Sequence, residues 1–532
     1  MNRRMRAVVA VVGVVLVTSL GAAPWAAVLQ TPAANAAVSS PAPRLVLLIA
    51  VDQMRYDYLT RFRDRFKGGF ARLLSEGAVF TNAYLEHYPS VTAIGHATML
   101  TGATPALSGI VGNDWYDRET GKNVTSVFDP TAQMLGTTGA ASSPGRLLVS
   151  TVPDELKMAG RGSRAIGVSF KDRSAILTVG RMADAAYWQD SATRRFVSST
   201  WYMTALPAWV VAFNDRRPVD AFAGAEWKGP GGALLKKMPA EPGAELNSAV
   251  YESPFGNELL ESFAEAALDG EQLGHHDATD VLSVSFSSND GLGHRVGPDS
   301  AEVADMTVRT DQVIGVLLEA VERRVGPGRT IVALTADHGV APVPEEMAKR
   351  RMPGGRITTG DLAAPVEAAL TQAYGPGKWV EGTAGSALYL NRALIREKKL
   401  EEADVQARAA RALMDQAHVA RVFTREELRR GQVSSDPVSR RVLRGFHVQR
   451  SGDLDVVLEP YWMREAKGTT HGTPYSYDTH IPLVLLGPGI RPGRYDRAVA
   501  LNDLAPTLAT LLSVETPSGS VGRVLDEALS ER

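Results

Sequence analysis

The chain has 532 residues, 44% apolar and 22% charged, with 57 basic against 59 acidic residues and no cysteine. This is the composition of an ordinary globular protein, long enough for a large core and, by length alone, for about three domains. Without cysteine there are no disulfides, thiolate metal centres or cysteine-linked lipid anchors, and the charge balance argues against a nucleic-acid-binding or membrane-binding surface.

Met1 to about Ala37 reads as a secretory signal peptide. Arg3, Arg4 and Arg6 precede an apolar run from Ala7 to about Ala23, and Ala34-Asn35-Ala36 is a small-x-small cleavage site. An uncleaved anchor is the competing reading, but the run is short for a membrane span. Removal of three arginines leaves 54 basic and 59 acidic residues, net −5. The expectation is a periplasmic or secreted protein with no membrane anchor after cleavage.

RLVLLIAVD then predicts a buried strand ending at Asp52. Phe70 to Glu76 predicts a helix closed by Gly77, and Val79-Phe80 opens another strand. In HYPSVTAIGHATMLTG, from His87 to Gly102, a helix runs from about Thr92 to Leu100. Thr92 falls in its first turn, where free N–H groups and the helix dipole favour an anion; the plainer reading is an N-cap. GIVGNDW is a turn-rich loop holding Asn113. The strand RAIGVSF, Arg164 to Phe170, runs into Lys171-Asp172-Arg173, two cations able to face one anion or to stand as a solvated pair.

From about 181 to 276 the pattern is irregular and aromatic, and it predicts an insertion capping the core. DVLSVSF, Asp280 to Phe286, is a strand followed by Asp290-Gly-Leu-Gly-His294, a D-x3-H spacing expected in a loop. Val303, Met306, Val313, Ile314, Leu317 and Val321 then recur at helical spacing. TIVALTADHGV, Thr330 to Val340, is a short buried strand ending at Asp337-His338, so strand, helix and strand make a βαβ unit. A second, α+β insertion is expected at about 360 to 450. Strand patterns return at Asp455 to Leu458 and Pro482 to Leu486, with His471 and His480 between them in THGTPYSYDTHIP, and Asn502 to Leu512 is a core helix.

Three strands therefore lead to Asp52, Asp290 and Asp337, and His294, His338 and His471 lie in the adjoining loops. Carboxylate and imidazole without thiolate suit zinc, or manganese or iron. Two metals about 3.5–4 Å apart would use all six groups and suit displacement at phosphorus. Lys171, Arg173, Asn113 and the start of the Thr92 helix offer the positive groups and donors that an anionic substrate needs.

The stretches LLIAVDQMR, YPSVTAIGHATMLTG, GIVGNDW, FKDRSA, SNDGLGH, TADHGV and THGTPYSYDTHIP, over about Leu47 to Pro482, resemble the alkaline phosphatase superfamily. The likeness is greatest to bacterial phosphatases with a threonine nucleophile, related in turn to nucleotide pyrophosphatase/phosphodiesterases. The resemblance implies an α/β fold over 42–532: a doubly wound, mostly parallel central sheet flanked by helices, with inserted cap subdomains. It also implies two Zn2+ per chain acting on small-molecule phosphate esters. Asp52, Asp337 and His338 would hold one ion, with Thr92 bound to it; Asp290, His294 and His471 would hold the other. Asn113, Lys171 and Arg173 would hold the phosphoryl oxygens, with His96 and His480 in support. A sulfatase would need a C/S-x-P-x-R motif that this chain lacks. A phosphodiesterase is expected to lack the Lys-x-Arg pair. A phosphonate hydrolase and a non-catalytic metal- or phosphate-binding protein are the remaining alternatives.

Overall fold

The structure is a computed structural model that describes residues 42–357 and 362–530. The proposed signal peptide lies outside the described residues. Seven strands carry the argument: β1 (Leu45–Val51), β2 (Ala78–Tyr84), β3 (Ala165–Ser169), β4 (Ala185–Gln189), β5 (Asp280–Phe286), β6 (Thr330–Thr335) and β7 (His480–Leu486). They belong to a twelve-stranded mixed sheet. Its middle runs β6-β1-β5-β3-β4, all parallel. Beyond β6 the direction reverses: β7 pairs antiparallel with β6 and with β2.

Strands β1, β3, β5 and β6 are buried along their whole length. Strands covered on both faces read as unbroken apolar runs, which is why the sequence announces them. The helices that matter are α1 (Gly69–Glu76), α2 (Thr92–Thr101), α3 (Asp172–Val179), α4 (Pro254–Gly270), α5 (Ser288–Val296), α6 (Ala301–Val325) and α7 (Leu504–Leu512). One group, α1, α4 and α6, packs mutually through α6; another, α2, α3 and α7, packs through α2. Each parallel strand delivers its carboxyl end to one edge of the sheet, where open α/β sheets bind their ligands.

Two readings are corrected. The segment 181–276 is not wholly an insertion over the core. Ala185–Gln189 and Phe196–Ser199 extend the central sheet, and Pro254–Gly270 packs on α6. Its aromatics also join the main core: Tyr187, Phe196, Phe213, Trp227 and Phe263 are buried there. Short strands and aromatic crowding hid the pattern. The second insertion extends past 450. Its four-stranded antiparallel sheet is completed by Leu454–Leu458, which pairs with Ala387–Leu390 and Val419–Thr424. It closes on a separate core that includes Trp379, Leu388, Val405, Leu413, Leu454 and Val456.

Candidate active site

Asp52 follows β1 directly and Asp337 stands two residues beyond β6, both fully buried. After Asp52 the chain turns sharply, with Gln53 at φ 67°. That left-handed turn aims the Gln53 N–H at Asp337 Oδ1, 3.1 Å away, and Asp337 Oδ1 also accepts the His338 N–H at 3.0 Å. A strained backbone of this kind costs about 1–3 kcal/mol and is held only by its surroundings.

Asp290 and His294 lie on α5, not in a loop. Two glycines in five residues suggested a loop, but burial against neighbouring helices outweighs their low helix propensity. On a helix the D-x3-H spacing becomes i,i+4, placing His294 Nε2 3.2 Å from Asp290 Oδ1. Gly293 has a further use. A β-carbon there would lie 1.8 Å from Gln53 Oε1. Its absence lets Gln53 Nε2 donate to Asp290 Oδ1 at 2.7 Å. Gln53 thus ties together carboxylates on two elements; its only sequence signal is a polar residue directly after the Asp that ends a strand.

The three histidines share one arrangement. Nδ1 faces a backbone carbonyl in each: His338 to Gly339 at 2.9 Å, His294 to Thr469 at 2.9 Å and His471 to Ser90 at 2.8 Å. A carbonyl only accepts, so the proton sits on Nδ1 and the Nε2 lone pair faces inward. His338 Nε2 lies 3.3 Å from Asp337 Oδ2, 3.5 Å from Asp52 Oδ1 and 3.4 Å from Thr92 Oγ1. His471 stacks on His338 at 3.5 Å, with its Nε2 3.6 Å from Asp290 Oδ1. Burial holds the imidazoles of both His338 and His471 below their ordinary pKa, so they are neutral donors.

These residues fit metal ions. Asp52 Oδ1 and Asp337 Oδ2 are buried with no hydrogen-bond partner among the described residues, and both face His338 Nε2. Asp52, Asp337 and His338 form one group close enough to share an ion, and Asp290, His338 and His471 another. His294 joins the second group through Asp290 and is the most exposed of the set, at 37% of its side chain. Burial first, and then the Asp337 charge, pushes the Asp52 carboxyl well above its ordinary pKa. Against the same push, Lys171 and the nearby imidazoles hold Asp290 well below. Three buried carboxylates with one lysine leave an excess of negative charge that divalent cations would neutralise.

Thr92 opens α2 and is buried. Asn113 Oδ1 accepts the Ala93 N–H at 2.9 Å, which turns the amide NH2 of Asn113 outward as a donor. Lys171 and Arg173 are placed by the start of α3 instead of a loop. Lys171 Nζ is engaged between Asp52 Oδ2 at 2.6 Å and Asp290 Oδ2 at 2.7 Å. The guanidinium of Arg173 has a buried Nε without a partner among the described residues, and the Asp172 carboxylate is 4.0 Å from it. His96 is fully buried beneath Thr92, with Nδ1 2.9 Å from the Thr92 carbonyl and Nε2 2.7 Å from Ser285 Oγ. His480 stacks between Tyr56 and Tyr84, away from the carboxylates.

The family model for type I phosphodiesterase / nucleotide pyrophosphatase matches residues 46–480. The chain is 35% identical to alkaline phosphatase PafA of Elizabethkingia meningoseptica over 92% of this chain and 95% of that one. It is 36% identical to a protein of Myroides odoratus named calcium-transporting ATPase, over 92% and 95%. Alkaline phosphatase PhoV of Synechococcus elongatus is 33% identical over 92% and 93%. The crystal structure of wild-type PafA superposes with a TM-score of 0.85, covering 92% of this chain and 99% of that one. A PafA variant altered at a threonine, an asparagine, a lysine and an arginine superposes with a TM-score of 0.84.

Proposed function

The chain belongs to the type I phosphodiesterase / nucleotide pyrophosphatase family, and within it we propose that it is an exported alkaline phosphatase that hydrolyses phosphate monoesters through a two-zinc site and a phosphothreonine intermediate. The observation that carries this reading is the position of Thr92 Oγ1, 3.4 Å from His338 Nε2 and so at the edge of both ligand groups. Asp52, Asp337 and His338 would hold one ion, and Asp290, His294 and His471 the other. When bound, such ions lower the pKa of a nucleophilic hydroxyl and neutralise charge on the leaving oxygen.

Thr92 Oγ1 loses its proton and forms a bond to phosphorus as the ester oxygen leaves. Water then attacks the phosphothreonine and releases inorganic phosphate, with net retention at phosphorus. The Asn113 amide donates to a non-bridging oxygen. Arg173 offers a planar fork and Lys171 a point charge, which match the dianion of a monoester better than the single charge of a diester. The altered residue types of the PafA variant, threonine, asparagine, lysine and arginine, occur here in the same order as Thr92, Asn113, Lys171 and Arg173, with the last two again separated by one residue.

Phosphodiesterase activity is the second reading, favoured by the description of the matching family model. No helix among the described residues is long and apolar enough to cross a membrane. The test is turnover of 4-nitrophenyl phosphate and bis(4-nitrophenyl) phosphate by the zinc-loaded protein, with mass spectrometry of acid-quenched enzyme for phosphate on Thr92. A monoester kcat/KM about 100-fold or more above that of the diester supports the proposal. A faster diester establishes the second reading, and no turnover of either means a binding protein.

A further inference from the structure

Beside the site lies a cavity of about 830 Å3, bordered at the site by Asn113 and His471. Among the described residues its charged lining is Asp114, Asp455 and Glu465 against Arg464. An acidic chamber is a poor companion for a phosphate anion, so its charge answers something else in the substrate.

Asp455 is the informative residue. It lies in the strand Leu454–Leu458, whose Leu454 and Val456 side chains enter the core of the second insertion. Alternation along the strand turns Asp455 to the other face with Val457, which packs on Tyr88. Among the described residues no hydrogen bond or ion pair reaches the Asp455 carboxylate, and burial alone raises its pKa to about 6. Tyr88 and Tyr389 line the same cavity. Trp115, which carries Arg146 and Arg450 over its ring, and Trp462, which stacks on His418, also line it. A carboxylate without a partner of its own, in a cavity that opens at the site, is the chemistry that holds a cation. A sugar would need several paired polar groups, and a leaving group bearing further phosphates would meet three carboxylates.

We propose that this cavity is the leaving-group subsite and that it selects phosphate monoesters of amino alcohols, whose ammonium group meets Asp455 while the phosphoryl end reaches Thr92. The proposal rests on the phosphatase reading. The P–O ester bond breaks, and the amino alcohol departs with a proton on its oxygen and its cation intact.

The test uses zinc-loaded protein at about pH 8 and a series of aminoalkyl phosphates with chains of two to six carbons. Each is paired with the neutral ester that has methyl in place of ammonium, such as propyl phosphate for 2-aminoethyl phosphate. At one or more lengths, kcat/KM for the cation exceeds that of its isostere by about tenfold. Asp455→Asn brings that ratio to about one and leaves the neutral ester unchanged. A ratio near one at every length in the wild type, or a preference that survives Asp455→Asn, overturns the proposal. If no monoester is cleaved, the phosphatase reading fails by itself, and the subsite is judged by calorimetric binding of the free amino alcohols against n-alkanols. Binding lost in Asp455→Asn supports it, and equal binding of both classes overturns it.

Discussion

A β-carbon added to Gly95 would stand 2.3 Å from the carbonyl oxygen of Asp337. The helix that begins with Thr92 is therefore pressed against the backbone of a proposed metal ligand, and only a glycine permits the contact. The neighbour is backbone continuing from β6, so it cannot swing aside as a side chain would. Gly95→Ala must displace α2, and Thr92 with it. We expect kcat/KM to fall about 100-fold, the usual consequence of an ångström-scale misplacement, in a protein that still folds. Steady-state kinetics with a thermal melt checks this, and near-wild-type turnover would show that the approach is not needed.

Gln53 donates to Asp290 through its side chain and to Asp337 through its backbone. Gln53→Leu keeps the size and removes the side-chain donor. Outer hydrogen bonds of this kind typically contribute 10–100-fold in metal affinity. Zinc titration, read by metal content after equilibrium dialysis, should show a loss in about that range, with activity recovered at saturating zinc. An unchanged zinc affinity would reduce Gln53 to packing.

Lys171 and Arg173 differ in their engagement, and their variants should differ too. Lys171 bridges Asp52 and Asp290, so Lys171→Ala leaves buried carboxylates facing each other in the metal-free protein. Breaking a buried pair typically costs about 3–5 kcal/mol. The chelated variant should melt well below chelated wild type, and zinc should close most of the gap. Arg173→Ala should leave the melt in place. Both substitutions should lower the ratio of monoester to diester kcat/KM, because both remove positive charge from a third phosphoryl oxygen. An equal loss on both substrates would assign the pair to structure.

Asp455 gives a stability that depends on pH. Its pKa rises from 3.8 in the unfolded chain to about 6 in the fold, about two units, or about 3 kcal/mol at most. The folded state favours the protonated carboxyl. Its contribution is complete below about pH 3.8 and lost as pH rises through about 6. Asp455→Asn escapes that loss, so by urea unfolding the variant should be the more stable at pH 8, with the gap narrowing toward pH 5. A gap of constant size would mean that the carboxylate is solvated.

Most of the proposed ligand set was legible because its residues are punctuation. Asp52 and Asp337 end apolar runs, and a buried parallel strand leaves little doubt about where it stops. Asp290 and His294 were legible as residues but not as structure, since the two glycines that argued for a loop sit in a helix where a neighbour presses close. The sheet strand at Ala185–Gln189 was missed because its aromatics resemble those of a cap. Gln53 was missed because its work depends on β1, β6 and α5 meeting, and no local pattern encodes that meeting. The engagement of Lys171 was equally out of reach, because Asp52 and Asp290 lie 119 positions from it in either direction.

The second insertion folds around a core of its own, and the proposed metal ligands all come from outside it. It meets the catalytic segment through Tyr88, whose hydroxyl donates to the Val456 carbonyl at 2.7 Å. Under the proposal, the bond-breaking groups and the Asp455 contact to the leaving group lie on separate modules. Mutations along Leu454–Leu458 can change what is accepted while the bond-breaking apparatus is inherited intact. A change of leaving group would then need no change around Thr92, provided that Tyr88 goes on tying the two together.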